Sequence, residues 1–145
     1  MSGECEWSNK LSIGDHDIDA DHHVIVDIIT KINLELYIGC DRGAIIELFC
    51  KLFVFSRLHF EREEKLMERI FHGKRKAHFE EHAKMLDTLN NIRSDYEASG
   101  EIDKDTAKFI CDMFYNHIIV SDMLLRDDMQ VVGGILGTEE SINEK

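Results

Sequence analysis

Five histidines of this 145-residue chain fall at positions that helical periodicity places on buried faces: His22, His59, His78, His82 and His117. A buried imidazole needs a partner for each of its two ring nitrogens. His78 and His82 are four residues apart, so on a helix both rings can converge on one ion. One such pair is a weak signal. Histidines at equivalent positions in several segments indicate a metal site.

Two carboxylates accompany these histidines. Glu63 follows His59 by four residues and therefore lies on the same helical face. Asp122 follows His117 by five residues, about 140° further round an ordinary α-helix, so its side chain is expected to reach sideways. A carboxylate that bridges two ions can do this. Either carboxylate could also form an ordinary salt bridge, but a position beside a buried histidine favours metal ligation.

Imidazole and carboxylate ligands suit iron, zinc or manganese, but these donors are too many for one tetrahedral zinc. Two ions fit better. If both carboxylates bridge and an oxo or hydroxo group is shared, one coordination position stays open to a small ligand. The remaining histidines, His16, His23 and His72, lie off the buried faces or in loops, and we expect them to be solvated.

The elements that must position these residues are helices. The chain has no proline, 43% hydrophobic residues and 32% charged residues, a composition typical of a folded all-α domain. Glycine and aspartate signals predict helices that begin after Asp19, Asp41, Lys74 and Asp103. They are expected to end near residues 38, 71, 98 and 130, each of the first three before a glycine. Short loops then predict an up-down-up-down antiparallel four-helix bundle.

Apolar residues recur at helical spacing and include the histidines. The second helix carries Ile45, Leu52, His59 and Leu66 at intervals of seven. The third helix has the set His78, His82, Met85, Leu89, Ile92 and Tyr96. For the fourth, steps of three and four predict a buried face formed by Ile110, Met113, His117, Val120 and Leu124.

The domain organisation is simple, because 145 residues suit one compact domain. Residues 1–18 are expected to be an arm that packs on the bundle through Trp7, Leu11 and Ile13. The bundle is predicted for residues 19–130, and residues 131–145 are expected to be a flexible tail.

At the chemistry-bearing positions the sequence resembles the hemerythrin family, in particular the bacterial hemerythrins. The matching motifs are Gly14 with Ile18-Asp19-Ala20-Asp21-His22, His59-Phe60-x-x-Glu63-Glu64-x-x-Met67, His78-x-x-x-His82 and His117-Ile118-x-x-x-Asp122. They span residues 7 to about 125, and every metal-binding position of the family is filled. The resemblance implies that this protein binds dioxygen reversibly at two iron ions.

The resemblance also implies a role for each ligand. His78, His82 and His117 would bind the fully coordinated iron, His22 and His59 the other iron, and Glu63 and Asp122 would bridge the two. Dioxygen would then bind at the less saturated iron.

The sequence departs from the family at two places. Met113 and Phe114 stand where a tryptophan and a leucine are common, and a tyrosine-proline usually seen near Phe71 and His72 is missing. Neither change touches a ligand. Phe55 and Phe114 are predicted to line the dioxygen pocket, so the departures concern dioxygen affinity and autoxidation.

Composition excludes some functions. A net charge of −12 argues against nucleic acid as a partner, because phosphate backbones are bound through clustered lysine and arginine. No apolar run approaches the ~18 residues that span a membrane, and the first residues do not resemble a signal peptide. The four cysteines lack CxxC spacing and are expected to be reduced thiols. We therefore expect a cytoplasmic protein, with a monomer favoured.

The same site allows alternatives to a dioxygen carrier, although the sequence favours a binding protein over an enzyme. A di-iron enzyme acting on peroxide or nitric oxide is one. The ferritin-like di-iron enzymes use paired Glu-x-x-His motifs, and none of the five histidines has a glutamate three residues before it. An oxygen- or iron-sensing module of a larger signalling protein is the other.

Overall fold

The computed structural model describes residues 11–132 except residues 40 and 71, and these residues form an all-α bundle, as predicted. Its helices are α1 (His16–Ile38), α2 (Arg42–Arg69), α3 (Arg75–Ser99) and α4 (Lys104–Asn116). After α4 the chain continues through a π-helical segment (His117–Asp122) into a last helical stretch over residues 123–132. α1 packs against α2 and α4, and α2 against α3. Within the described part of the chain, no helix is both long and apolar enough to span a bilayer.

The first helix begins earlier than the sequence predicted. Its N-cap is Asp15, whose side chain accepts a hydrogen bond from the backbone N–H of Ile18. Asp19, the predicted cap, lies within α1. Its carboxylate accepts hydrogen bonds from Ser12 Oγ at 2.6 Å and from the backbone N–H of Ile13 at 2.8 Å. This aspartate therefore fastens the preceding arm to the helix.

The other helix boundaries lie close to the predicted ones. The side chains of Asp41 and Asp103 each accept a backbone N–H bond two residues later, as expected of N-caps. Gly39 and Gly100 end α1 and α3 with φ of 75° and 72°, a left-handed conformation that favours glycine. α2 ends at Arg69, slightly before the predicted residue 71.

Two apolar clusters occupy opposite ends of the bundle. The larger one joins the second half of α1, the first half of α2, the second half of α3 and α4, and includes Ile29, Phe49, Leu52, Leu89 and Ile110. The smaller one comprises Ile13, Ile18, Leu66, Met67 and Leu125. Along α1, α2 and the fourth helix the candidate ligands lie between residues of the two clusters. All residues of the predicted sevenfold pattern in α2 are buried.

The arm packs on the bundle where it is described. Leu11 and Ile13 are buried, as predicted, whereas Trp7 lies outside the described residues, as do all of residues 1–10. Of the predicted tail 131–145, the first two residues continue the last helix and the rest lies outside the described part.

The π-helical segment changes the register of the fourth helix. Its backbone bonds span five residues instead of four, as in the bond from Met123 N–H to Ile118 O. The predicted buried face is therefore wrong beyond His117. Val120 and Leu124 are 60% and 43% exposed, while Leu125 is fully buried. One extra residue in the turn has rotated everything after it.

Candidate metal centre

The predicted ligands meet in one buried cluster between the apolar layers. They form two groups in which the ligand atoms lie within 4.8 Å of one another. One group comprises Glu63, His78, His82, His117 and Asp122, and the other comprises His22, His59, Glu63 and Asp122. The two carboxylates belong to both groups, which is the arrangement that two neighbouring ions with bridging carboxylates require.

Asp122 stands between the two groups of histidines. Its Oδ2 lies 3.1 Å from His22 Nε2, while its Oδ1 lies 2.9 Å from His78 Nε2 and 3.1 Å from His117 Nε2. Each oxygen thus faces a different group. The carboxylate is fully buried, so these imidazoles provide its surroundings in place of water.

Glu63 also belongs to both groups of ligands, and its Oε1 faces a histidine of each. Its Oε1 lies 2.7 Å from His59 Nε2 and 3.6 Å from His82 Nε2, and its Oε2 lies 3.9 Å from His78 Nε2. Because His59 and Glu63 are four residues apart on a regular α-helix, α2 presents both to the centre without distortion.

The π-helical segment explains how Asp122 reaches the centre. The sequence predicted a sideways reach, because five residues of α-helix rotate the side chain away from His117. With backbone bonds that span five residues, His117 and Asp122 instead fall on one face. The backbone, not the side chain, makes the adjustment.

A test of whether cations fit is the hydrogen bonding of the buried ligand atoms. In the described structure, neither carboxylate oxygen of Glu63 or of Asp122 makes a hydrogen bond. The Nε2 atoms of His22 and His59 also lack a hydrogen-bond partner. Buried polar atoms without partners are costly and therefore uncommon. Atoms that are unpaired, aimed at one point and rich in lone pairs fit metal ions.

Comparisons with known proteins agree with this geometry. No protein-family model matches the sequence. A protein named "Bacteriohemerythrin" from Methylococcus capsulatus is 28% identical over 107 residues, 73% of this chain and 81% of that protein. Another of that name from Stenotrophomonas maltophilia is 23% identical over 124 residues, 86% of this chain and 80% of that protein.

A solved structure is also similar. It is described as that of a leucine-to-phenylalanine mutant, with a TM-score of 0.76, 26% identity, and coverage of 82% of this chain and 92% of that one. These similarities support a hemerythrin-like family. The all-α fold and the buried histidine–carboxylate cluster agree with that likeness.

A layer of carboxylates surrounds the ligands and orients their rings. The Nδ1 atom of His59 lies 3.0 Å from Asp21 Oδ2, and Asp21 is itself paired with Arg62 at 3.0 Å. A carboxylate at Nδ1 fixes the proton there and leaves Nε2 free to bind a metal. Sequence reasoning assigned Asp21 no role, although its place directly before His22 was a signal.

The same device recurs on α2 and α3. His82 Nδ1 lies 3.1 Å from Glu64 Oε2, and His117 Nδ1 is hydrogen-bonded to Glu81, which also accepts bonds from Ser121 Oγ at 3.0 and 3.1 Å. Both glutamates are partly exposed. They looked like ordinary surface acids in the sequence, and only the fold shows which histidines they contact.

The charges of the metal-free centre are strongly coupled. Burial raises the pKa of Glu63 well above its usual value, and the neighbouring Asp122 carboxylate raises it further. Burial also disfavours the charged form of Asp122, but the His117 imidazolium outweighs it and holds the Asp122 pKa well below its usual value. The pKa of His117 is about 10, because Asp122 and Glu81 more than offset its burial. Burial lowers the pKa values of His22 and His82.

Phe60 covers the histidines on the side of the larger apolar cluster. Its ring stacks on His82 with centroids 3.9 Å apart, and the Phe114 ring lies 6.4 Å from that of Phe60. Phe114 therefore packs against Phe60, and its place in a dioxygen pocket stays a prediction. Phe55 does not share this position. It is half-buried against the larger cluster and lines a surface groove with Cys50 and Leu58.

The histidines outside the ligand set divide into two kinds. His16 and His23 are exposed, as predicted. His72 is 2% exposed, so the prediction that it is solvated was wrong. Its Nδ1 lies 2.5 Å from Asp128 Oδ2, on the helical stretch after the π-helical segment. Nothing in the local sequence of the α2–α3 loop signals this contact across 56 residues.

Proposed function

We propose that this hemerythrin-like chain holds two iron ions and uses them to bind dioxygen reversibly. The observation that carries the proposal is the pair of overlapping ligand groups that share Glu63 and Asp122. One group contributes three histidines and the other two, so the ion in the second group has fewer protein ligands. An open position on one ion is where a small ligand can bind.

The chemistry of the proposed cofactor is a two-electron exchange: a diferrous pair supplies two electrons to dioxygen and regains them when dioxygen leaves. The chain's task is to hold the ions and to keep water out. Its candidate ligand residues are 0–2% exposed, Phe60 stacks on His82, and Phe114 packs against Phe60. Exclusion of water favours release of dioxygen over its loss as peroxide, because that loss consumes protons.

The outer carboxylates support this task by holding protons in place. Asp21, Glu64 and Glu81 each accept a hydrogen bond from a ligand imidazole, so the Nδ1 protons stay on the outer side of the rings. The Nε2 lone pairs then all face the centre. This arrangement supports binding, since it keeps dissociable protons on the side of the rings away from the bound ligand.

A metal and gas titration tests the proposal. Metal-free protein loaded anaerobically with ferrous ion should bind about two ions per chain. One ion would be held by three imidazoles and the other by two, with the two carboxylates shared between them. Exposure to air should produce near-ultraviolet and visible absorption that disappears on degassing while dioxygen is recovered. Asp122→Ala should abolish it, whereas the exposed Asp127→Ala should not.

The result also separates binding from turnover. Fewer than two ions per chain, or absorption that does not reverse, would contradict reversible binding. Steady consumption of peroxide or nitric oxide in the presence of a reductant would favour an enzyme. We also propose that the protein is a cytoplasmic monomer, which can be checked by light scattering and cell fractionation.

A further inference from the structure

The outer hydrogen-bond layer of the centre is incomplete at His22 and at His78, whose Nδ1 atoms both lack a partner in the described structure. His59, His82 and His117 each have a carboxylate at Nδ1. The Nδ1 atom of His78 is buried and has no hydrogen-bond partner in the described structure. A metal-binding histidine nearly always donates its second ring N–H to a carboxylate, a carbonyl or water.

His72 is the ring beside His78, and it is held firmly. The two ring centroids are 6.1 Å apart with an interplanar angle of 69°. The His72 backbone N–H donates to Met67 O at 2.9 Å, and its carbonyl accepts from Arg75 N–H at 3.2 Å. Its Nδ1 faces Asp128, so its backbone and one ring nitrogen are all engaged.

The remaining nitrogen of His72 is also buried and unpaired. Because the Asp128 carboxylate accepts the Nδ1 proton, His72 Nε2 carries a lone pair and is an acceptor. His78 Nε2 faces Asp122 Oδ1 at 2.9 Å within the ligand cluster, so a metal-binding His78 carries its proton on Nδ1 and is a donor. Two adjacent buried rings thus have one unused acceptor and one unused donor.

We propose that His72, oriented by Asp128, is a positioning residue that accepts the Nδ1–H hydrogen bond of His78 through one bound water. The inference rests on the proposed metal centre, since it assigns His78 as a ligand. The resulting chain runs from Asp128 through His72 and His78 to the ion of the three-histidine group. It gives this ligand an outer partner comparable with those of His59, His82 and His117.

The role has a measurable effect on one ion only. Loss of an outer partner of a metal-binding histidine costs about 10–100-fold in metal affinity. The effect should fall on the ion bound by His78 and leave the ion bound by His22 and His59 nearly unchanged. A glutamine at position 72 can supply both an acceptor for His78 and a donor for Asp128, so it should largely preserve the interaction.

The experiment compares His72→Leu, His72→Gln and Asp128→Ala with the wild type and with the exposed control His16→Leu. Each metal-free protein is titrated anaerobically with Co²⁺, followed by absorption and by proton NMR of the shifted imidazole N–H signals. His72→Leu and Asp128→Ala should lower the affinity for one of the two Co²⁺ ions by about 10–100-fold. They should also speed the exchange of one imidazole N–H proton with solvent. His72→Gln and His16→Leu should resemble the wild type.

Several results would overturn the assignment. Unchanged affinity and exchange in both His72→Leu and Asp128→Ala would show that His78 needs no such partner. Equal weakening of both ions, with a lower melting temperature, would show a structural role alone. Because Asp128 is half exposed, its variant keeps the test valid if His72→Leu does not fold. A wild type that holds fewer than two Co²⁺ would refute the metal centre itself, a failure distinct from the others.

Discussion

Metal loading of this centre should release protons, because the metal-free site holds protons where ions would bind. Burial opposes the charged form of His117, yet Asp122 and Glu81 keep its pKa at about 10. At pH 7 its deprotonation therefore costs ~4 kcal/mol, from three pH units at 1.36 kcal/mol each. Burial also raises the pKa of Glu63, so this carboxyl adds to proton release as the pH falls. His82, whose pKa burial lowers, is neutral and releases none.

The magnitude follows from linkage. One displaced proton lowers the apparent metal affinity tenfold for each pH unit below the group's pKa, so between pH 9 and pH 7 His117 alone predicts about 100-fold weaker binding. Titration calorimetry with Zn²⁺ at pH 7, in buffers of different ionisation enthalpy, counts the protons directly. We expect about one proton per loaded chain, from His117.

The matched variant is His117→Gln, which removes the high-pKa group but keeps a polar side chain. Its proton count should fall by about one, and the pH dependence of its Zn²⁺ affinity should become correspondingly shallower. If the wild type releases no protons at pH 7, or if His117→Gln releases as many as the wild type, the coupling between His117 and Asp122 described above is wrong.

Three further predictions concern the pocket, the packing and the metal-free fold. Phe114→Ser should speed autoxidation of the oxygenated protein in stopped-flow, by admitting water, whereas the exposed Phe109→Ser should not; equal rates would refute the pocket role. Leu125→Ala should cost about 2–5 kcal/mol in urea unfolding and Leu124→Ala less than about 0.5, with the reverse order contradicting the π-helical register. Metal-free protein should lose stability from pH 7 to 10, because the raised pKa of His117 stabilises the fold fully below 6.5 and ceases to do so above about 10; a melting temperature that rises with pH would count against this.

The ligand set could be predicted from the sequence because α1, α2 and α3 are regular. On a regular helix, side chains three, four or seven residues apart share a face. His59 and Glu63 on α2, and His78 and His82 on α3, are four residues apart and follow this rule. Each of these faces could be predicted from the charge and hydrophobic pattern of its own helix, without reference to the neighbouring helices.

The fourth helix shows where that reasoning stops. The π-helical turn adds one residue, and no proline or glycine signals it. Helical periodicity therefore gave the wrong register after His117, and Val120, which was predicted to be buried, is exposed. The local pattern could not reveal the turn. Only the need to bring His117 and Asp122 together indicated that something unusual must occur there.

Contacts between segments that are distant along the chain could not be predicted from the sequence either. His72 is buried because Asp128, far along the chain, packs against it. Glu64 and Glu81 act on histidines of other helices, and a chain with so many acidic residues offers no reason to single them out. Burial and pairing of such residues depend on tertiary packing, which spacing along one helix does not encode.

The apolar clusters at the two ends of the bundle limit how anything reaches the histidines. Leu52 and Leu89 belong to the layer on one side, and Met67 and Leu125 to the layer on the other. Solvent and ions are therefore kept from the long axis. Glu81 and Glu64, which are 40% and 30% exposed, each contact a candidate ligand histidine from the flank of the bundle, so a cation arriving there would meet these carboxylates before the histidines.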